Sequence, residues 1–157
     1  MSKAWRSVEV QHRNRCTYDF DGVLHPTVIE VEPRRMESVI GIGLFGWLPA
    51  LVRTLQTHPD VGLVVHSTWR YTHDPDELRL LLGGLGKRML GAAPRGPRYE
   101  SILWWLHLNP QFTDHRILDD DPSEFPRPLP TELIVCNPEV GVTSQEVAAA
   151  LRAWLAS

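Results

Sequence analysis

Cysteine is scarce in this chain. Cys16 and Cys136 are the only two among 157 residues, too few for the disulfide framework of a small secreted domain. No apolar run approaches the ~20 residues of a membrane span, and residues 1–10 lack the apolar core of a secretory signal. The expectation is cytoplasmic residence with no membrane partner. Positive charge is not in excess either. A net charge of −3 offers no general attraction for a polyanion, so charge lends no support to a nucleic-acid partner. Basic residues do cluster locally, at Arg6, His12, Arg13 and Arg15 and again at Lys87, Arg88, Arg95 and Arg98. They read as solvated faces or a local phosphate-binding rim. Internal repeats and linker-like stretches are also lacking, which leaves one domain over residues 1–157.

What is present is ordinary for a globular protein: 43% apolar and 22% charged residues. A single domain of this size buries roughly 70% of its unfolded surface. Strand-like apolar runs at residues 15–18, 61–66, 88–90, 115–118 and 132–136 alternate with helical patterns at 45–57, 75–82, 98–108 and 144–155. Val147, Leu151, Trp154 and Leu155 recur at helical spacing behind a Ser144 N-cap. Ile102, Trp105 and Leu106 form a similar stripe, and the six tryptophans read as packing residues. Such alternation predicts a three-layer α/β fold with a mostly parallel sheet. Residues 26–35 suggest a short β excursion. The glycine-rich run 41–46 lacks the Lys-Ser/Thr of a phosphate loop and reads as a loop entering a helix at Trp47. The four prolines of residues 121–130 predict a loop without regular structure.

Chemistry concentrates where predicted strands end. In Thr17-Tyr18-Asp19-Phe20-Asp21-Gly22, two carboxylates one residue apart meet a glycine-marked turn. Residues i and i+2 of a strand share a face, so Asp19 and Asp21 can serve one site, as nucleophile, proton carrier or ligand for a hard cation. The run 61–65 leads through His66 into Ser67-Thr68-Trp69-Arg70. Arg116-Ile117-Leu118 ends in Asp119-Asp120-Asp121, and Arg98 opens the intervening helix. Ligands of open parallel sheets collect beyond the carboxyl ends of strands. A nucleophile, a hydroxyl, a cation and an acidic pair converging there suit phosphoryl transfer, in which positioning and charge neutralisation dominate.

These segments resemble the ordered motifs of the haloacid dehalogenase (HAD) superfamily. Asp19-Phe20-Asp21-Gly22-Val23 is similar to its first motif, Val64-Val65-His66-Ser67-Thr68 to the second, and Asp119-Asp120 to the fourth. With Ile134-Val135-Cys136-Asn137-Pro138 and Gly141-Val142-Thr143, the chain resembles small members such as the phosphatase-like domain of bacterial RNA-repair proteins. The resemblance covers about residues 15–155. It implies a Rossmann-like core with a mostly parallel five-stranded sheet, capless or minimally capped, because about forty residues separate the first two motifs.

The resemblance also implies roles. Asp19 would attack phosphorus, form an aspartyl-phosphate and ligate Mg²⁺. Asp21 would protonate the leaving group, activate water and lend its carbonyl to the metal. Ser67 would bind phosphoryl oxygens, and Asp119 and Asp120 would complete the Mg²⁺ site directly or through water. The third motif departs from the usual lysine: Arg98 is best placed, with Lys87 and Arg95 as competitors, and arginine differs from lysine in reach and shape. Trp69 and Arg70 are candidates for the substrate entrance, Thr68 is a further substrate-binding candidate, and His25 could touch substrate or metal-bound water. Asp121 could replace one of the acidic pair. The implied activity is Mg²⁺-dependent phosphomonoester hydrolysis on a phosphorylated substrate, a nucleic-acid end among the candidates. A non-catalytic binding module and another chemistry on the same scaffold stand as alternatives. In the superfamily's sheet order one strand separates Cys16 from Cys136, so two spacings of about 9.6 Å exceed the ~7 Å bridging limit. Both should be free thiols.

Overall fold

The computed structural model describes residues 14–18, 23–25 and 45–157, the first of these segments by its backbone. Among the described residues, β1 (Asn14–Tyr18), β2 (Gly62–Val65), β3 (Met89–Ala92), β4 (Asp114–Asp119) and β5 (Leu133–Val135) form one sheet. Its order is β3-β2-β1-β4-β5, and every adjacent pair is parallel. Four α-helices of the described residues complete the alternation: α1 (Leu48–Leu55), α2 (Pro75–Leu81), α3 (Arg98–Leu108) and α4 (Gln145–Leu155).

Local chemistry explains the boundaries. A parallel strand buried on both faces reads as a continuous apolar run, and all four residues of β2 are buried. Asp74 caps α2 with a capping box, its carboxylate accepting from the Glu77 amide while the Glu77 side chain returns to the Asp74 amide. Pro75 fits the first turn, where its missing N–H has no partner to lose. Ser144 caps α4 by accepting from the Val147 amide at 3.4 Å. The expected stripe of Val147, Leu151, Trp154 and Leu155 is the buried face of that helix.

Helices cover both faces of the sheet. In β4, Leu118 enters a core with Leu51 and Leu55 of α1, Leu78 of α2 and Val147 and Leu151 of α4. Its neighbour Ile117 points the other way, against Ile102 of α3 and Phe125. Burying a leucine such as Leu51 or Leu55 stabilises by about 1.5–3 kcal/mol relative to exposure. Trp105 and Trp154 are core residues, whereas Trp104 is 54% exposed, against the packing role expected for the tryptophans.

Several elements differ in extent from the sequence reading. The proline-rich 121–130 loop contains one 3₁₀ turn, Pro122–Glu124, because Pro122 occupies a first-turn position that needs no N–H. The last strand is shorter than residues 132–136, although the Cys136 amide still donates to the Asp119 carbonyl at 2.8 Å. β4 lies between β1 and β5, as the expected separation of the two cysteines requires, and Cys136 is buried; the Cys16 side chain lies outside the described residues. So do the 26–35 excursion, residues 41–44 of the glycine-rich run and the extent of any cap.

The fold brings three strand ends to one edge. Tyr18, the last residue of β1, pairs with Val65 on one side and Leu118 on the other. The next residues on those flanking strands are His66 and Asp119. Beyond β1, the Val23 carbonyl accepts from Val142 at 2.9 Å and the Leu24 carbonyl from Trp47 at 3.0 Å. Gly141 makes this approach feasible. Its φ of 50° is left-handed, and a Cβ there would collide with the Val23 carbonyl and the Trp47 ring.

Candidate active site

Asp119 ends β4 and is fully buried. A buried carboxylate needs donors, and four hydrogen bonds reach it. Arg98 Nη1 lies 3.0 Å from Oδ1 and 3.1 Å from Oδ2. The Asp121 amide donates to Oδ1 at 2.9 Å, and His66 Nε2 lies 2.9 Å from Oδ2. A carboxylate offers about four lone-pair sites, so these donors fill it. Of the three arginine and lysine candidates for the third motif, Arg98 is the one on the acidic strand end. Its side chain is 15% exposed, so the ion pair is shielded from solvent.

The contacts continue into a closed ring. Ser101 Oγ donates to the Arg98 carbonyl at 2.8 Å and accepts from Arg70 Nη2 at 3.3 Å. Arg70 Nη1 in turn donates to the carbonyls of His66 and Ser67, the latter at 2.9 Å. The circuit His66, Asp119, Arg98, Ser101, Arg70 and back to His66 joins the ends of β2 and β4 to the first turn of α3.

The remaining candidates take distinct places. Ser67 is fully buried, and its Oγ accepts from the Trp69 amide at 3.2 Å, which leaves the hydroxyl proton to be donated elsewhere. Thr68 is exposed beside it. Trp69 is half-buried and stacks on His73 with centroids 5.2 Å apart. His25 is buried edge-on against Phe45 at 5.0 Å and near Trp69 at 5.7 Å, with its Nδ1 accepting from the Phe45 amide. His25 thus sits in a buried aromatic cluster with Phe45 and Trp69.

Arg70 departs from the entrance reading. Besides the ring, its Nη2 bonds Tyr71 Oη and the carbonyls of Pro94 and Gly96. Its side chain clasps the turns after β2 and β3. The competitors of Arg98 lie apart: Lys87 is exposed, and Arg95 bonds the Tyr71 carbonyl at 3.2 Å and overlies the Tyr71 ring.

The acidic run divides its labour. Asp119 belongs to the ring, while Asp120 is half-buried at a depression of about 440 Å³. That depression also touches the end of β5 and the first turn of α4, with Ser144 and Glu146 on its wall. Asp121 caps the Pro122–Glu124 turn through the Ser123 amide at 3.0 Å. The hydrogen bond from the Ser123 hydroxyl holds its carboxyl below the ordinary range; the Ser123 amide and the Arg98 charge act in the same direction, against partial desolvation.

Asp19 and Asp21 lie outside the described residues. Carboxylate donors at a strand end fit a hard cation such as Mg²⁺. Among the described residues, no group of three ligating side chains gathers. With its lone pairs occupied by Arg98, His66 and the Asp121 amide, Asp119 is engaged by protein donors, and Asp120 is the described carboxylate better suited to hold a cation.

His66 was not singled out from sequence. The available signal was a titratable ring closing an otherwise apolar run at residues 61–65, and only its partner across β1 gives that ring a meaning.

Among known families, the model for the HAD domain in Swiss Army Knife RNA repair proteins matches residues 17–147. No curated protein and no solved structure matches the chain. Among the described residues, no helix is long and apolar enough to cross a membrane.

Proposed function

The chain belongs to the family of HAD domains in Swiss Army Knife RNA repair proteins, and on that premise we propose that it is a Mg²⁺-dependent phosphomonoesterase acting on phosphorylated RNA ends. Family membership supports phosphoester hydrolysis as the general chemistry. The observation that carries the reading is the Arg98–Asp119 pair at the end of β4, beside the strand that runs into Asp19-Phe20-Asp21. It brings a guanidinium charge to an edge where a dianionic phosphate needs one.

In this reading, a carboxylate oxygen of Asp19 attacks phosphorus, and the bond to the leaving oxygen breaks as Asp21 gives that oxygen its proton. The product is an aspartyl-phosphate and a free alcohol. Asp21, now a carboxylate, takes a proton from water as that water attacks phosphorus, which releases phosphate and restores Asp19. Ser67 donates its hydroxyl proton to a phosphoryl oxygen, and Arg98 offsets the phosphoryl charge. Mg²⁺ would be held by Asp19, the Asp21 carbonyl, Asp119 and Asp120, directly or through water, and would supply further charge neutralisation. The turn Ser67-Thr68-Trp69 forms part of the entrance.

RNA ends come from the family's description, not from charge, since the chain carries −3 overall. The experiment is a substrate panel of phosphorylated RNA and DNA ends, mononucleotides, sugar phosphates and p-nitrophenyl phosphate, each with and without Mg²⁺. Metal-dependent phosphate release, fastest from RNA ends, is the expected result. Absence of release from every substrate would remove the enzyme reading.

A further inference from the structure

We infer that His66 is a positioning residue, an imidazole that spans the end of β1 to hold the Asp119–Arg98 pair at a set distance from Ser67. The kinetic consequence rests on the hydrolase reading; the structural one does not. β2 and β4 are not neighbours, because β1 lies between them. Two strand spacings, about 9.6 Å, therefore separate the backbone bearing Ser67 from that bearing Asp119. His66 Nε2 closes this gap with its 2.9 Å contact to Asp119 Oδ2, both side chains being fully buried.

The hydrogen bonds assign the tautomer. All the donors around Asp119 point at a carboxylate, so Nε2 must carry a hydrogen to bond it. Nδ1 is buried without a hydrogen-bond partner among the described residues. A hydrogen there would be a buried, unsatisfied donor, so the Nε2–H form with a bare Nδ1 lone pair fits the site better. A ring held in one tautomer by a buried carboxylate acts as a rigid spacer.

Both ends of this spacer are fixed. Arg70 grips the His66 and Ser67 carbonyls and, through Ser101, the first turn of α3 that carries Arg98. A carboxylate turns about a broad terminal torsion. His66 restrains that rotation by occupying Oδ2, so Arg98 Nη1 can straddle both oxygens at 3.0 and 3.1 Å. Losing the imidazole donor would let the Asp119 carboxylate turn and Arg98 follow it. Misplacement of a charged group by about 1 Å can cost ~10²-fold in rate without loss of binding.

The test compares His66→Leu, which keeps bulk but removes the donor, with His66→Gln, whose amide nitrogen can stand near the Nε2 position. Nitrogen-15 spectra of the wild-type imidazole should show the Nε2–H tautomer. The Arg98 guanidinium should show slowly exchanging hydrogens in wild type and His66→Gln, and fast exchange in His66→Leu. If wild type turns over p-nitrophenyl phosphate, His66→Leu should lower kcat about 10- to 100-fold with KM changed less than about twofold, and His66→Gln should recover most of it. An Nδ1–H tautomer, or unchanged Arg98 exchange in His66→Leu, overturns the inference. So does equal kcat in folded wild type and His66→Leu. If His66→Leu does not fold, the wild-type tautomer and the Arg98 exchange of His66→Gln decide the matter. A wild type without turnover counts against the hydrolase reading alone, and the spectra then judge His66.

Discussion

The Val142 amide donates to the Val23 carbonyl at 2.9 Å, tying the turn before α4 to the chain just beyond β1. Tyr18 on the other side is held in the sheet by pairing with Val65 and Leu118. The described residues on either side of the first motif, Tyr18 and Val23, are thus each held by backbone hydrogen bonds.

This anchoring frames the first prediction. Asp19→Asn should melt within a few degrees of wild type yet lose phosphatase turnover by roughly 10³-fold or more, because an amide is a poor nucleophile and a poor cation ligand. Thermal unfolding and p-nitrophenyl phosphate turnover measured on the same preparation check it. Near-normal turnover would remove Asp19 from the nucleophile's role.

Asp119 should behave differently, since it supports the structure as well as the site. Asp119→Ala leaves Arg98 without its carboxylate and His66 Nε2 without its acceptor. Breaking a buried pair from one side costs about 3–5 kcal/mol, at about 2–4 °C per kcal/mol for a domain of this size. A fall in Tm of roughly 6–20 °C is expected in calorimetry. A variant that melts like wild type would show the pair to be of no energetic consequence.

Mg²⁺ should raise stability by binding the native state in preference to the unfolded chain. At a hundredfold excess over Kd the gain is about 2.7 kcal/mol, or several degrees in Tm. Asp120→Ala should abolish most of the rise, while the melting point without metal stays near that of wild type because Asp120 is half-buried at a surface depression. Differential scanning fluorimetry with and without chelator measures both. A full Mg²⁺ shift retained in Asp120→Ala would move the ligand role elsewhere.

The acid limb of stability should carry a contribution from Asp121. Its folded-state carboxyl is held below the ordinary range, chiefly by the Ser123 hydroxyl. A carboxyl lowered on folding stabilises above its unfolded pKa of about 3.9, and that stabilisation is lost as pH falls through the folded value. Ser123→Ala should thus narrow the stability advantage of neutral over acid pH slightly, because the group is near the surface. Urea titrations between pH 2 and 7 test the sign, and a larger advantage in the variant would contradict it.

Arg70 and His25 show what residue type alone leaves undecided. Both stand beside motif residues in sequence, where Arg70 suits an entrance and His25 a contact to substrate or metal-bound water. The fold turns Arg70 onto the backbone carbonyls of His66, Ser67, Pro94 and Gly96, and seats His25 between Phe45 and Trp69. The same holds for the acidic run, whose three neighbouring carboxyls become a ring member, a wall of a depression and a turn cap.

By itself the sequence determined the alternation of strands and helices, the strand-end positions of Ser67 and Asp119, and the helix opening at Arg98. These follow from periodicity and caps, which are properties of neighbours along the chain. The tertiary structure decided which side chains meet. That Arg98 and not Lys87 or Arg95 reaches the acidic strand, and that His66 does so from the far side of β1, depends on the order β3-β2-β1-β4-β5. Hydrogen bonds across 21 and 53 residues of sequence separation have no local signature. They arise because a buried carboxylate must find donors wherever the folded chain supplies them.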